Sequence, residues 1–241
     1  MLGGVGKGIN ISPLIWERMR EVKGLKWSIL ILVILLLPAL IWAKAARDEG
    51  PSSPPAAAGE RMVYVNTTVE VTTNYGSFTI MLYDQGAPIT TDNFKMLVKR
   101  GFYIGTKFHR VIDDFVIQGG DPNSKDNNPY NDGWGGSEET IPLEINESLT
   151  HVDGAVGMAR SQDPDSASSQ FYICDGPQHQ LDGSYAVFGV VIEGMDTVRR
   201  IASAETYGMR RPLLKDHPVD DIVILSMEMV EGHLAPSPHQ A

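Results

Sequence analysis

The chain has 241 residues, 42% hydrophobic and 8% aromatic, enough to bury one sizeable core and too apolar for a wholly disordered polypeptide. Twenty Lys and Arg against 30 Asp and Glu give a net charge of -10, but residues 1–47 hold seven basic and two acidic groups, leaving 13 basic against 28 acidic, or -15, for residues 48–241. So acidic a region repels phosphate backbones and excludes nucleic acid as a partner, and a single cysteine, Cys174, excludes both an internal disulfide framework and a multi-cysteine zinc site.

Residues 1–26 form a basic flank carrying Lys7, Arg18, Arg20, Lys23 and Lys26. The next 17 residues, Trp27 to Ala43, carry no charge, the low end of what spans a bilayer at about 1.5 Å per residue. The basic side is expected to stay in the cytoplasm and the remainder to be extracytoplasmic, with Trp27 and Trp42 at the headgroup layers. Two fates remain open. The long flank favours an uncleaved anchor, whereas Ala43-Lys44-Ala45 has the small-x-small form of a signal-peptidase site, and initiation at Met19 would leave a flank of ordinary signal-peptide length. Residues 44–61 are rich in Ala, Pro, Ser and Gly and are expected to be a flexible linker; residues 232–241 are expected to be a disordered tail. Between them, residues 62–231 have the size of one domain.

Within that domain Val63, Val65, Val69 and Val71 alternate as in a strand, and Phe78, Ile80 and Leu82 do the same beyond Asn74-Tyr75-Gly76, which predicts a hairpin. Residues 87–92 (APITTD) supply turn and capping residues, Phe94, Leu97 and Val98 follow at helical spacing, and Gly101 ends the helix. Short apolar runs then read as strands: KFHRVI, FVIQGG, GAVGMAR, QFYIC and YAVFGVVI. A second short helix is predicted at Met195, Val198 and Ile201, before a last strand from Ile222 to Val230. Many strands, two helices and no regular alternation argue for an antiparallel barrel or sandwich.

The usual catalytic signatures are absent: there is no G-x-S-x-G elbow, phosphate-binding loop or H-E-x-x-H pair. The six histidines are scattered, and Asp113 and Asp114 are adjacent, which suits a turn better than a carboxylate pair. The oxygen-rich loop at 121–133 has Asp126 where a calcium loop needs glycine. Cys174, in a strand-like run, reads as a buried apolar residue.

What remains is FHRVIDDFVIQGGD (108–121), in which Arg110 and Gln118 interrupt apolar strands. Together with GMAR (157–160), SQFYIC (169–174) and LDGSYAVFG (181–189), in that order, it resembles the cyclophilin family of peptidyl-prolyl cis-trans isomerases. The resemblance implies a mainly β fold, a closed eight-stranded antiparallel barrel capped by two α-helices, with a substrate groove on its outer face. It implies Arg110, Phe115 and Gln118 as catalytic residues. Val116, Tyr172 and Leu181 would form the proline pocket with Phe115; Ala159, Arg160, Ser161 and Gln170 would line the peptide groove, and Tyr185 would stand beside the pocket. Phe171 and Phe188 are assigned to the core. No metal or cofactor is implied, and the partners would be proline-containing polypeptides, with the membrane reached through the N-terminal segment and the protein acting as a monomer.

Five departures from the family pattern bear on function. Val116 and Tyr185 stand where Met and His are common, and Gln180 replaces a Trp that in many eukaryotic members borders the pocket and binds cyclosporin. Arg160 replaces a usual Asn and adds a cation beside the groove. The segment between Asp121 and Gly135 is long and is expected to reshape one end of the groove. A proline-peptide-binding chaperone or scaffold is the competing function.

Overall fold

The computed structural model describes residues 66–230. The basic flank, the apolar segment, the linker, the tail, and Val63 and Val65 lie outside the described residues. Among the described residues no helix is long and apolar enough to cross a membrane.

Eight strands and two helices follow one another as β1 (Thr68–Thr73), β2 (Gly76–Leu82), α1 (Pro88–Lys99), β3 (Arg110–Ile112), β4 (Val116–Gly119), β5 (Ala155–Met158), β6 (Phe171–Cys174), β7 (Val187–Glu193), α2 (Met195–Ala202) and β8 (Ile224–Val230). The strands form one antiparallel sheet in the order β3-β4-β6-β5-β7-β2-β1-β8. The expected closed barrel is met in part. Edge strands β3 and β8 share no ladder; the segments preceding them meet through a bridge between Lys107 and Val223, with Phe108 N donating to Ile222 O at 2.9 Å and Ile224 N to Thr106 O at 2.9 Å. The three residues of β3 are too few to extend that contact into a seam.

The predicted hairpin is present, with Val69, Val71, Phe78, Ile80 and Leu82 all buried on one face. Helix α1 buries Phe94, Leu97 and Val98 and ends at Gly101, whose φ of +65° suits a residue without Cβ. Its start differs from expectation: Ala87 supplies no side-chain cap, and Glu144 does so from a distant loop. The Glu144 carboxylate accepts from Ile89 N (3.1 Å), Thr90 N (2.8 Å) and Thr90 Oγ1 (2.8 Å). Two free N–H groups and a hydroxyl at a helix start attract an anion wherever it comes from in the sequence.

Phe78, Phe94, Tyr103, Phe108, Phe171 and Phe188 are fully buried between the sheet and α1. Phe94 packs at 5.4 Å on Phe171 and 5.1 Å on Phe188, and Tyr103 packs at 5.5 Å on Phe171. Each ring removed from water contributes roughly 2–3 kcal/mol, so this aromatic cluster fixes the sheet's inner face. Strand alternation then leaves Arg110, Val116, Gln118, Tyr172, Cys174, Ala155 and Gly157 pointing the other way. The latter side holds a smaller cluster of Val116, Ala155, Tyr172, Cys174 and Val187, against which Phe115, Leu149, Ala159, Leu181 and Tyr185 pack. Burial pushes the Cys174 thiol up to about 12, and the residue is the small buried apolar group expected.

Candidate active site

The ladders fix the site. Arg110 on β3 pairs with Gln118 on β4, Gln118 pairs with Tyr172 on β6, and Tyr172 pairs with Gly157 on β5, so one row crosses four strands. Residues in register point to the same side, which brings together side chains up to 62 positions apart in the chain. The Asp113-Asp114 turn makes the β3–β4 hairpin possible, with Asp114 in the left-handed region at φ 56°, a conformation Asp tolerates. Gly157 completes the row by its lack of a side chain. A Cβ there would lie 2.4 Å from Tyr172 Oη and 2.3 Å from Cζ, inside van der Waals contact, so the tyrosine ring occupies space that only glycine leaves.

Above this row lies a cavity of about 250 Å³ lined by Arg110, Phe115, Val116 and Gln118 from the hairpin, Ala159 and Arg160 from beyond β5, Tyr172 from β6, and Leu181 and Tyr185 from the loop before β7. Of the eleven residues singled out from the sequence, nine line this cavity. Gln170 and Ser161 do not. Gln170 stands behind the wall, where its Oε1 accepts from Gln118 Nε2 at 3.0 Å and its Nε2 donates to Gly133 O at 3.0 Å and Gly135 O at 2.7 Å. Ser161 is exposed and bonds Ser166 through its amide (3.0 Å) and hydroxyl (2.8 Å).

Arg110 is held from two directions. Its Nη1 donates to Gln118 Oε1 at 3.2 Å, and its guanidinium carbon lies 5.7 Å from the centre of the Phe115 ring. Gln118 is held in turn by Gln170, and Gln170 by the long loop. The carboxylate of Asp121, wholly buried, fixes that loop by accepting from the amides of Asn123 (2.8 Å), Gly133 and Gly135 (3.2 Å). The segment 121–135 thus joins the groove through Gln170.

Tyr172 is the pocket member with a polar atom to satisfy. Its hydroxyl lies 2.8 Å from Nε2 of the wholly buried His151, and the two rings are stacked at 5.9 Å. Asp182 Oδ1 accepts from the His151 amide (2.8 Å) and lies 2.7 Å from its Nδ1, while Oδ2 lies 2.9 Å from His179 Nδ1. Partial burial would push the Asp182 carboxyl up, but these hydrogen bonds override it and hold it at about 2. Burial pushes the Tyr172 phenol well above its ordinary range, so the ring is neutral at any working pH. His151, Asp182 and Gly157 escaped the sequence reading. Asp182 and Gly157 sit within quoted motifs, whereas nothing local marks His151.

Arg160 lies over Tyr185, 4.8 Å from the ring centre, and Tyr185 meets Tyr172 edge to face at 6.0 Å. Cavity and ring therefore share one wall. The arrangement offers a hollow of mixed character, with Phe115, Val116, Ala159 and Leu181 beside Arg110, Gln118 and Arg160, so that apolar surface and a fixed cationic hydrogen-bond donor face the same space.

Residues 68–229 match the family model for the cyclophilin type peptidyl-prolyl cis-trans isomerase/CLD domain. A peptidyl-prolyl cis-trans isomerase of Acinetobacter baylyi is 40% identical over 173 residues, covering 68% of this chain and 86% of that protein. The peptidyl-prolyl cis-trans isomerase-like 1 protein of Aspergillus niger is 37% identical over 168 residues, covering 68% of this chain and 96% of its own length. Among solved structures, a Cryptosporidium parvum cyclophilin type peptidyl-prolyl cis-trans isomerase superposes with a TM-score of 0.61 at 29% identity, over 70% of this chain and all of that one. The same parasite protein crystallised in the presence of the dipeptide Ala-Pro gives a TM-score of 0.61 at 30% identity, over 68% of this chain and 99% of that one. The row of Arg110, Gln118, Tyr172 and Gly157 beneath its groove, and the comparisons alike, place this chain in the cyclophilin-type peptidyl-prolyl cis-trans isomerase family.

Proposed function

We propose that the cavity takes the proline ring of a polypeptide and that Arg110 stabilises the twisted amide, in client proteins that are exported or held at the membrane. The observation that carries the mechanism is the placement of Arg110, bonded to Gln118 Oε1 and set against Phe115 in a hollow that Val116, Tyr172 and Leu181 also line. Rotation about an Xaa-Pro bond breaks amide resonance over a barrier of about 18–20 kcal/mol and takes tens to hundreds of seconds unaided. No covalent bond is made, so a catalyst has only to bind the twisted form better than either planar one. In the twisted form the prolyl nitrogen regains a lone pair. A guanidinium cannot be deprotonated and can donate to that nitrogen at any physiological pH.

One charge-assisted hydrogen bond formed mainly in the twisted state is worth roughly 1.5–3 kcal/mol, about ten- to over a hundredfold in rate. Orientation in the groove supplies more: Phe115, Val116, Tyr172 and Leu181 clasp the ring, and Gln118 contacts the substrate backbone while steering Arg110. Ala159, Arg160 and Ser161 line the track of the peptide chain, Gln170 braces Gln118, and Tyr185 flanks the pocket.

The setting is read from the N-terminal quarter of the chain. A basic flank before an uncharged 17-residue stretch supports an extracytoplasmic domain, anchored by that stretch or released after Ala45. There the enzyme, a monomer, would accelerate proline-limited folding steps.

An NMR exchange assay of the full chain on an Ala-Pro peptide tests the mechanism. Arg110→Ala should lower kcat/KM about ten- to over a hundredfold while leaving peptide affinity largely intact, and the wild-type rate should stay nearly flat between about pH 6 and 8 because no acid or base titrates in the step. A bell-shaped profile would refute it. Rescue of a cellular phenotype by Arg110→Ala would favour a proline-binding chaperone or scaffold. Recovery of the protein in the cytosolic fraction would refute the extracytoplasmic setting.

A further inference from the structure

We infer that the groove selects segments with Asp or Glu next to the proline, and that Arg160 makes the selection; this rests on the reading of the cavity as the proline site. The domain is strongly acidic, and five of the twelve Lys and Arg among its described residues have a close carboxylate partner. Lys95 meets Asp84 and Asp92, Lys107 meets Asp221, Arg199 meets Asp153, Arg200 meets Asp196 and Arg210 meets Glu205, each within 3.4 Å. Both arginines that line the cavity are among the rest: within the described residues no carboxylate forms an ion pair with Arg110 or Arg160. Asp182, next in sequence to Leu181, spends both oxygens on His151 and His179, while Asp163 and Asp165, close to Arg160 in sequence, accept from the amides of Asp165 and Leu143.

Arg160 is held so that its charge stays at the rim. Its Nε and Nη2 donate to Ser184 O at 3.1 and 2.8 Å, its Nη1 donates to Ser161 O at 2.9 Å, and its plane lies over Tyr185. These acceptors are carbonyls, which orient a guanidinium without neutralising it. Nη1 also reaches Gln162 O at 3.5 Å, so these bonds use four of the five N–H donors of the guanidinium and one, on Nη2, remains for a ligand. A cation fixed before binding loses little side-chain freedom when an anion arrives, which removes much of the usual entropic penalty of a surface ion pair. With Arg110 on one wall and Arg160 on another, the hollow is a positive site in a negative domain. A client segment that is basic around its proline is repelled by both arginines, and one that is acidic meets the field its own charge requires.

The test compares four peptides on the full chain by NMR exchange at low ionic strength: Ala-Ala-Pro-Phe, Ala-Glu-Pro-Phe, Ala-Lys-Pro-Phe and Ala-Ala-Pro-Glu. Each catalysed rate is read against the uncatalysed rate of the same peptide. At least one Glu peptide should exceed the Lys peptide in kcat/KM by about three- to tenfold, the range of a partly exposed ion pair. The ratio should shrink at 1 M salt, survive in Arg160→Lys, and invert in Arg160→Glu. Equal rates for the Glu and Lys peptides, or a preference that Arg160→Glu leaves unchanged, would overturn the assignment. Turnover of Ala-Ala-Pro-Phe separates the two readings. If that neutral peptide is not turned over, the isomerase mechanism fails, and calorimetric titration with the Glu and Lys peptides still decides whether Arg160 selects charge.

Discussion

Tyr172 Oη and His151 Nε2 lie 2.8 Å apart, and this contact lets a pocket residue carry a hydroxyl without leaving it unpaired. The direction of the bond follows from Asp182. An ionised carboxylate only accepts, so the proton of the imidazole sits on Nδ1, facing Asp182 Oδ1, and Nε2 accepts from the tyrosine. Tyr172 then offers the cavity its ring, as a phenylalanine would. Tyr172→Phe should keep kcat/KM within about threefold and lower unfolding free energy by about 1–3 kcal/mol, because it leaves the buried His151 Nε2 without a partner. His151→Ala should cost more, about 2–4 kcal/mol, because it strands the hydroxyl and opens a void. Urea unfolding and the exchange assay read the two effects. A Tyr172→Phe enzyme as impaired as Arg110→Ala would mean that the hydroxyl takes part in the reaction.

Helix α1 is closed at its start by Glu144, whose carboxylate serves both Ile89 and Thr90. Removing a cap typically costs about 0.5–2 kcal/mol. Glu144→Ala should fall in the upper half of that range, since it deprives two backbone amides and the Thr90 hydroxyl. Glu144→Gln keeps one acceptor oxygen and should cost less. Thermal unfolding distinguishes them; equal losses would show that the charge toward the helix dipole, rather than the acceptor, is what counts.

The cap also marks where the sequence was readable and where it was not. Strands β1 to β8 and both helices follow from apolar runs, turn residues and helical spacing, because those signals lie within a few positions of the residues they govern. Strands β5 and β6 are buried on both faces, one on the core and the other on the groove, so alternation does not say which side is which. Phe171 and Tyr172 were separated only by the family resemblance. Glu144 acts across 54 residues, and Gly157 matters because Tyr172 is its partner in the ladder. Contacts of that kind have no local signature. The gap between β3 and β8 is likewise a matter of how far two edges run together, which a pattern of apolar residues does not state.

Gln180 bears on inhibition. It is exposed, its side-chain amide donates to Gln178 Oε1 at 2.7 Å, and it is not part of the cavity lining. The family resemblance sets an indole at this place in the members that bind cyclosporin tightly. An exposed amide already bonded to a neighbour offers neither the apolar area nor the free indole N–H. Cyclosporin A should therefore inhibit weakly, and Gln180→Trp should strengthen inhibition by an order of magnitude or more, about 1.4 kcal/mol per tenfold. Nanomolar inhibition of the wild type in the exchange assay would refute this.

Beneath the long loop, His217 and His109 should titrate in opposite senses. Burial alone would push His217 down, but its Nε2 lies 3.0 Å from Asp132 Oδ2 and its Nδ1 lies 2.8 Å from Pro218 O. Both partners are acceptors, so both nitrogens are satisfied only when both carry protons, and the folded pKa is raised above 6.5. His109 is more deeply buried, and there the loss of solvent outweighs the nearby Asp121 and Asp132, so its folded pKa is lowered. The signs follow from linkage. The stability His217 contributes is fully present below pH 6.5 and is lost as pH rises through its raised value. His109 acts the other way, since stability is lost as pH falls from 6.5 toward its lowered value. Asp132→Asn removes the partner of His217 and should abolish the loss on the alkaline side. Histidine NMR titrations with unfolding free energies across pH 5 to 8.5 would decide. A His217 signal titrating below 6.5, or an alkaline loss unchanged in Asp132→Asn, would show that the pair is not charged in the folded protein.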